Sequence, residues 1–181
     1  QEEMVALETR GQLEFKRHGE DEPRGVYTLV GSYTDKGGNG IGPITGHDVL
    51  RFRKARVPTV FMDRYEPFER FGNYATNARH KAYYMMKNID LSGIRGFLYE
   101  FASKDQAGVI EVRIDSRAGP VIAKTPYEPT GDWDQVTSLE ASLDTPIAGR
   151  HDIYFITLKP EQPNEDIINL KAVTFISAEG D

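Results

Sequence analysis

The sequence predicts an all-β fold of the β-sandwich type, and three observations carry that reading. Short β-rich runs recur at intervals of about 8–12 residues, the spacing of a sandwich. Gly, Pro, Asn and Asp separate these runs at turn positions. No window longer than a turn or two combines helical periodicity with helix caps, and no internal repeat is visible.

The elements follow in order. Residues 1–24 are polar and charged, with Gly19-Glu20-Asp21-Glu22-Pro23 as a breaker. Within them only Leu13-Glu14-Phe15 reads as a short strand, and the rest as a tail or linker. Val26-Tyr27-Thr28-Leu29-Val30-Gly31-Ser32-Tyr33 is rich in β-formers. The glycine-dense stretch from Asp35 to Pro43 lacks the Lys-Ser/Thr ending of a phosphate cradle, and no helix pattern follows it, so it reads as a hairpin connection. Val49-Leu50-Arg51-Phe52-Arg53 alternates as a strand, and Pro58 marks a joint. Segment 25–58 is thus expected to add strands or a hairpin that packs on a sandwich spanning 59–177, with 178–181 as a tail.

Inside the sandwich segment, Phe97, Tyr99 and Phe101 fall on one face of a strand, a core stripe. Ile110, Val112 and Ile114 face one way, while Glu111, Arg113 and Asp115 face the other as a solvated, charge-balanced side. Tyr83-Tyr84-Met85-Met86, His151 to Ile156 and Val173 to Ile176 complete the set.

Composition bounds the function. Hydrophobic content of 39% and charged content of 28% fit a globular domain. A net charge of −6 repels a long polyanion on average, so no nucleic-acid partner is expected. The basic group Arg51, Arg53, Lys54 and Arg56 reads as the wet side of a strand. The absence of cysteine removes disulfides, thiolate zinc sites and cysteine nucleophiles together. No run approaches the roughly 20 apolar residues of a membrane span. The opening Gln1-Glu2-Glu3-Met4 has neither the charged nor the apolar region of a signal peptide. It follows a removed leader or is a cut from a longer polypeptide; the sequence leaves both open.

Catalysis has no support in the residue pattern. Glycoside hydrolysis needs two carboxylates about 5–10 Å apart, one with a raised pKa. Glu100, Glu111, Asp115, Asp132 and Asp134 are available, but a charge-balanced surface explains them. His18, His47, His80 and His151 show no metal-binding spacing, and no serine stands in a Gly-x-Ser-x-Gly elbow near His151-Asp152.

Trp133, the only tryptophan, stands between Asp132 and Asp134 directly after the Thr130-Gly131 turn. Turn tips are solvated, and an indole there leaves apolar surface in water unless something stacks on it. The apolar C–H face of a sugar suits such a ring.

Several pieces then align with a known pattern. They are Lys87 to Gly93, Phe101-Ala102-Ser103, Gly108 to Ser116, Gly119-Pro120-Val121-Ile122, Thr130-Gly131-Asp132-Trp133, Ala148 to Phe155 and Ile168-Asn169-Leu170. In this order and spacing, over roughly residues 59 to 177, the chain resembles the family 6 carbohydrate-binding modules. The stretch Tyr33 to Gly46 is similar to the lead-in before such modules in large bacterial surface or secreted proteins, some of which carry sugar-oxidising domains.

The resemblance implies a jelly-roll β-sandwich of the galactose-binding type that binds a poly- or oligosaccharide at edge loops without catalysis. It implies two rings flanking a sugar and an asparagine that hydrogen-bonds it. Trp133 matches the first ring and Asn169 the asparagine. Tyr74 is the first choice for the second ring, with Tyr83 as the alternative. Asp63 stands where the family places a ligand-contacting glutamate. The family's structural calcium lies between an early glutamate and a late aspartate, and those positions here read Phe61 and Lys171. Neither side chain offers an oxygen to a hard cation, so no metal or other cofactor is expected. A secreted, periplasmic or cell-surface location follows from the same resemblance. The alternative is a structural module that packs against a linked catalytic domain and binds no sugar itself.

Overall fold

The computed structural model describes the backbone of residues 26–66, 69–71 and 74–178, with side chains except at 26, 69–71, 74 and 75. Leu13-Glu14-Phe15 therefore lies outside the described residues. Among the described residues thirteen strands follow one another: β1 Val26–Thr34, β2 Thr45–Arg53, β3 Arg56–Pro58, β4 Arg64–Glu66, β5 Glu69–Phe71, β6 Tyr74–Thr76 and β7 Tyr83–Asp90. The remainder are β8 Ile94–Ala102, β9 Gly108–Ile114, β10 Val121–Tyr127, β11 Thr137–Ser142, β12 Arg150–Leu158 and β13 Asn169–Ser177. The one helical element among the described residues is a single 3₁₀ turn at Thr59–Phe61.

Two antiparallel sheets build the sandwich, a five-stranded sheet of order β10-β9-β12-β7-β4 and a four-stranded one of order β11-β8-β13-β3. Their inner faces hold the core. Phe97, Tyr99 and Phe101 are buried as the alternation requires, and Ile110, Val112 and Ile114 meet them from the other sheet. The Phe97 ring packs edge-on against Phe155 at 5.3 Å and Phe175 at 5.4 Å, the geometry that ring quadrupoles prefer. In β13 the register slips between Leu170 and Ala172. One extra residue there lets Leu170 and Val173, three apart, both reach the core.

Two expectations need correction. Glu111 is not a solvated carboxylate. It is 5% exposed, held at 2.6 Å by Arg113, with Lys124 at 3.7 Å. Nearby, Tyr83, Met85 and Ile156 form a second, smaller apolar cluster. The basic group also does not share one strand. Arg51 and Arg53 lie in β2, while Arg56 belongs to β3 and grips Glu100 with two bonds of 2.6 Å.

Strand β3 already pairs with β13, so the four-stranded sheet starts at Arg56. The segment before it forms the hairpin β1–β2, in continuous register from Val26↔Arg53 to Thr34↔Thr45. This hairpin meets the sandwich at its root. There Arg53 binds the Asp63 carboxylate at 2.7 Å and the Phe61 carbonyl at 3.4 Å. Leu29, Val30 and Tyr33 farther out, and Phe52 beside Arg53 at the root, stay exposed.

Candidate functional site

Trp133 sits in the loop between β10 and β11, and the threonine before it fixes that loop. The Thr130 hydroxyl accepts the Ser103 N–H at 3.0 Å and lies 2.9 Å from the carbonyls of Ser103 and Asp132. The Thr130 N–H donates to the Ser103 carbonyl at 2.6 Å. Gly131 then turns the chain with φ 94°, a conformation that costs a side-chain-bearing residue free energy. The Asp134 N–H donates to the Asp132 carboxylate at 2.9 Å, closing an Asx turn around the tryptophan. Trp133 is half-buried, and its indole makes no hydrogen bond, ring stack or cation contact with another described residue.

The same anchor reaches Asn169. Ser103 is fully buried, and its hydroxyl lies 2.8 Å from the Ile167 carbonyl and 2.6 Å from that of Gln106. Asn169 opens β13 opposite Ala102, the residue before Ser103. It is 8% exposed, and its side-chain amide makes no hydrogen bond with another described residue. A ring without a partner and an amide without a partner are thus tied through one buried serine. This link was not legible in the sequence, although Thr130-Gly131 marked the turn.

On the other side of Asn169 the chain brings in the stretch that follows β6. Ala78 bridges Ile168, and the Ile167 N–H donates to the Ala78 carbonyl at 2.8 Å. Arg79 pairs with Asp166 at 2.9 Å, and the Thr157 hydroxyl donates to the Arg79 carbonyl at 2.7 Å. Tyr74 belongs to β6 by its backbone, and its side chain lies outside the described residues. The Trp133 loop, the start of β13 and the segment after Tyr74 therefore gather at one end of the sandwich.

Tyr83 and Asp63 are placed elsewhere. Tyr83 is 4% exposed in the smaller cluster, with the Tyr154 ring at 6.0 Å and the Arg117 guanidinium 4.9 Å from its centroid. A ring so covered offers no face for stacking. Asp63 spends one carboxylate oxygen on Arg53 and the other on the Lys87 N–H at 2.8 Å, which latches the hairpin root to β7. Near Phe61 and Lys171, the Phe61 carbonyl accepts Arg53, and the Lys171 carbonyl lies 3.3 Å from the Thr59 hydroxyl. The side chains of Phe61 and Lys171 offer no oxygen to a hard cation. No cluster of three or more His, Cys, Asp or Glu placed to hold a metal occurs among the described residues.

Three of the carboxylates considered for catalysis, Glu100, Glu111 and Asp115, are drawn into ion pairs. The Arg56 guanidinium holds Glu100 below the usual carboxylate range, opposite to the raised pKa a general acid needs. Glu111 is held by Arg113, and Asp115 lies 3.0 Å from His151.

Comparison with known proteins agrees with this architecture. The profile of the Carbohydrate binding module (family 6) matches residues 72–177. A search of curated proteins returns no match. Among solved structures, a family 6 module from Clostridium cellulolyticum in complex with xylose is 26% identical. That match covers 67% of this chain and 96% of that one, with a TM-score of 0.57. A β-1,3-glucan binding module of the family from Bacillus halodurans is 17% identical over 67% of this chain and 95% of that one, TM-score 0.62. A glycoside hydrolase family 43 arabinoxylan arabinofuranohydrolase from Bacillus subtilis, in complex with cellotetraose, is 19% identical with a TM-score of 0.60. The match covers 77% of this chain and 30% of that enzyme, so the chain spans under a third of its length. The two packed sheets, the turn that presents Trp133, and a profile match over more than half the sequence converge on one conclusion: this chain belongs to the carbohydrate-binding modules of family 6.

Proposed function

We propose that the end of the sandwich carrying Trp133 and Asn169 binds a poly- or oligosaccharide reversibly, with no bond broken. The observation that carries this reading is the pairing of an indole and a side-chain amide, both without described partners, fixed through Ser103. The indole supplies a face for a sugar's C–H surface. The amide of Asn169 offers both donors and an acceptor to sugar hydroxyls. Tyr74 is the second ring of this site. Asp63 takes a supporting part at the hairpin root, and Tyr83 one inside the outer cluster, instead of contacting sugar. Structural neighbours solved with xylose or β-glucan fragments support a glycan as ligand, and a secreted or surface location suits such a polymer. No calcium takes part, since Phe61 and Lys171 bring no side-chain oxygen.

Stacking on one exposed ring contributes on the order of 1–2 kcal/mol by analogy with aromatic pairs. Two rings and a few hydrogen bonds place the dissociation constant nearer 10⁻⁴ M than 10⁻⁹ M, to an order of magnitude. Trp133→Ala should therefore weaken binding about tenfold, measured by affinity gel or calorimetry against xylan, cello-oligosaccharides and β-1,3-glucan. Circular dichroism of the variant should match that of the parent. Equal binding by both proteins would remove Trp133 from the site.

A second reading, packing against a linked catalytic domain, is favoured by the uncovered apolar residues of the hairpin β1–β2. Absence of glycan binding by the parent protein itself would select that reading.

A further inference from the structure

At the pole of the sandwich opposite the Trp133 loop, the hairpin root encloses a groove of ≈ 630 Å³. The ends of the strands define this pole. The groove is lined by residues at the end of β13 and the start of β8, whereas Asn169 starts β13 and Ala102 ends β8. Its volume falls in the range of roughly 300–1,000 Å³ typical of small-ligand sites.

The charge of the groove runs against that of the molecule. The whole chain carries −6, yet the groove is lined by Arg51, Arg53, Lys54 and Arg95, with Asp90 as the one carboxylate. Arg53 is shared with Asp63 and Arg95 with Glu140. Arg51 forms no ion pair with a described residue. An excess of one sign on a concave wall focuses the field and raises the local concentration of counter-charged solutes. At the same place stands Phe52, 42% exposed.

A guanidinium group recognises carboxylate or sulfate oxygens with two parallel bonds, and an aromatic ring accepts an apolar C–H face. Only a ligand that is both anionic and partly apolar uses the two features together. The enclosed volume suits a few sugar rings, while a long polyanion meets the repulsion of the rest of the surface. We propose that this groove is a second ligand site, for a short acidic saccharide bearing carboxylate or sulfate groups. It is independent of the saccharide reading of the Trp133 end, and either can hold without the other.

The test uses the full chain labelled with nitrogen-15 and titrated separately with a galacturonate oligosaccharide, a neutral xylo-oligosaccharide and a poly-glutamate peptide. The galacturonate should shift the amides of residues 51–55, 94–95 and 176–178, and its binding should weaken severalfold as salt rises from about 20 to about 200 mM. Replacing Arg51→Ser together with Lys54→Ser should raise its dissociation constant, read from the shifts of residues 51–55, about tenfold or more. Because the shift map is read on the parent protein, the result does not depend on how the double variant folds. Shifts confined to residues 130–134 and 169, or no shifts, would overturn the proposal. Binding of poly-glutamate as tight as galacturonate would overturn the saccharide assignment.

Discussion

Thr130 shows how much one hydroxyl decides. The turn Thr130-Gly131 was legible from its residue types, since both favour tight reversals. Its partner Ser103 lies 27 positions away, and no local rule pairs them. Thr130→Val keeps the shape and removes the acceptor, so the Ser103 N–H loses its partner in a buried place. An unsatisfied buried donor costs about 1–3 kcal/mol. The variant should melt at a lower temperature, and its lone indole should show altered fluorescence and weaker sugar-induced quenching. A melt and a quenching curve identical to the parent's would show that the Thr130–Ser103 tie does not position Trp133. Trp133 was legible because an indole at a turn tip contradicts burial. Asn169 was reached only through resemblance, as an asparagine at a strand start is an ordinary turn former.

At the scale of elements, alternation gave the strands their inner faces but misjudged some outer ones. Ile110, Val112 and Ile114 are buried as their spacing requires, yet Glu111 is covered too, because Arg113 and Lys124 fold over it from the same sheet. Part of that cover, Lys124, comes from the neighbouring strand β10 and leaves no mark in the period. The ends of β9 and β12 are held by another cross-strand pair. His151 Nδ1 lies 3.0 Å from the Asp115 carboxylate, and the Asp115 N–H donates to the Asp152 carbonyl at 2.7 Å. The hydrogen bond to Asp115 raises the His151 pKa above its ordinary value of 6.5. A raised folded-state value means that the stabilisation is fully present below about pH 6.5 and is lost as pH rises through the folded pKa. Asp115→Asn should thus lower the melting temperature at about pH 5.5, with the difference fading by about pH 8.5. Asparagine tolerates the left-handed backbone at this position, φ 66°, so the change isolates the charge. The pair is solvated and contributes under about 1 kcal/mol. A difference that grows with pH would refute the assignment.

For the whole molecule, the proposal that no calcium binds at Phe61 and Lys171 carries a thermodynamic consequence. A ligand that binds only the native state raises its stability, so the melting temperature should stay fixed when about 5 mM calcium or a chelator is added. A clear rise with calcium would show a cation site built from other oxygens. The sequence by itself determined the all-β class, the core stripe of Phe97, Tyr99 and Phe101, and strands before the sandwich, and it placed Trp133 in a turn. These rest on the two-residue period of strands, on turn chemistry and on the cost of apolar surface in water, all of which act over a few neighbours. Tertiary structure alone decided that Tyr83 is covered, that Asp63 is a latch for the hairpin root, and that Arg51, Arg53 and Lys54 face a groove. Those outcomes depend on which strands pair across the two sheets. Pairing joins residues tens to more than a hundred positions apart, through packing and charge that no local window contains.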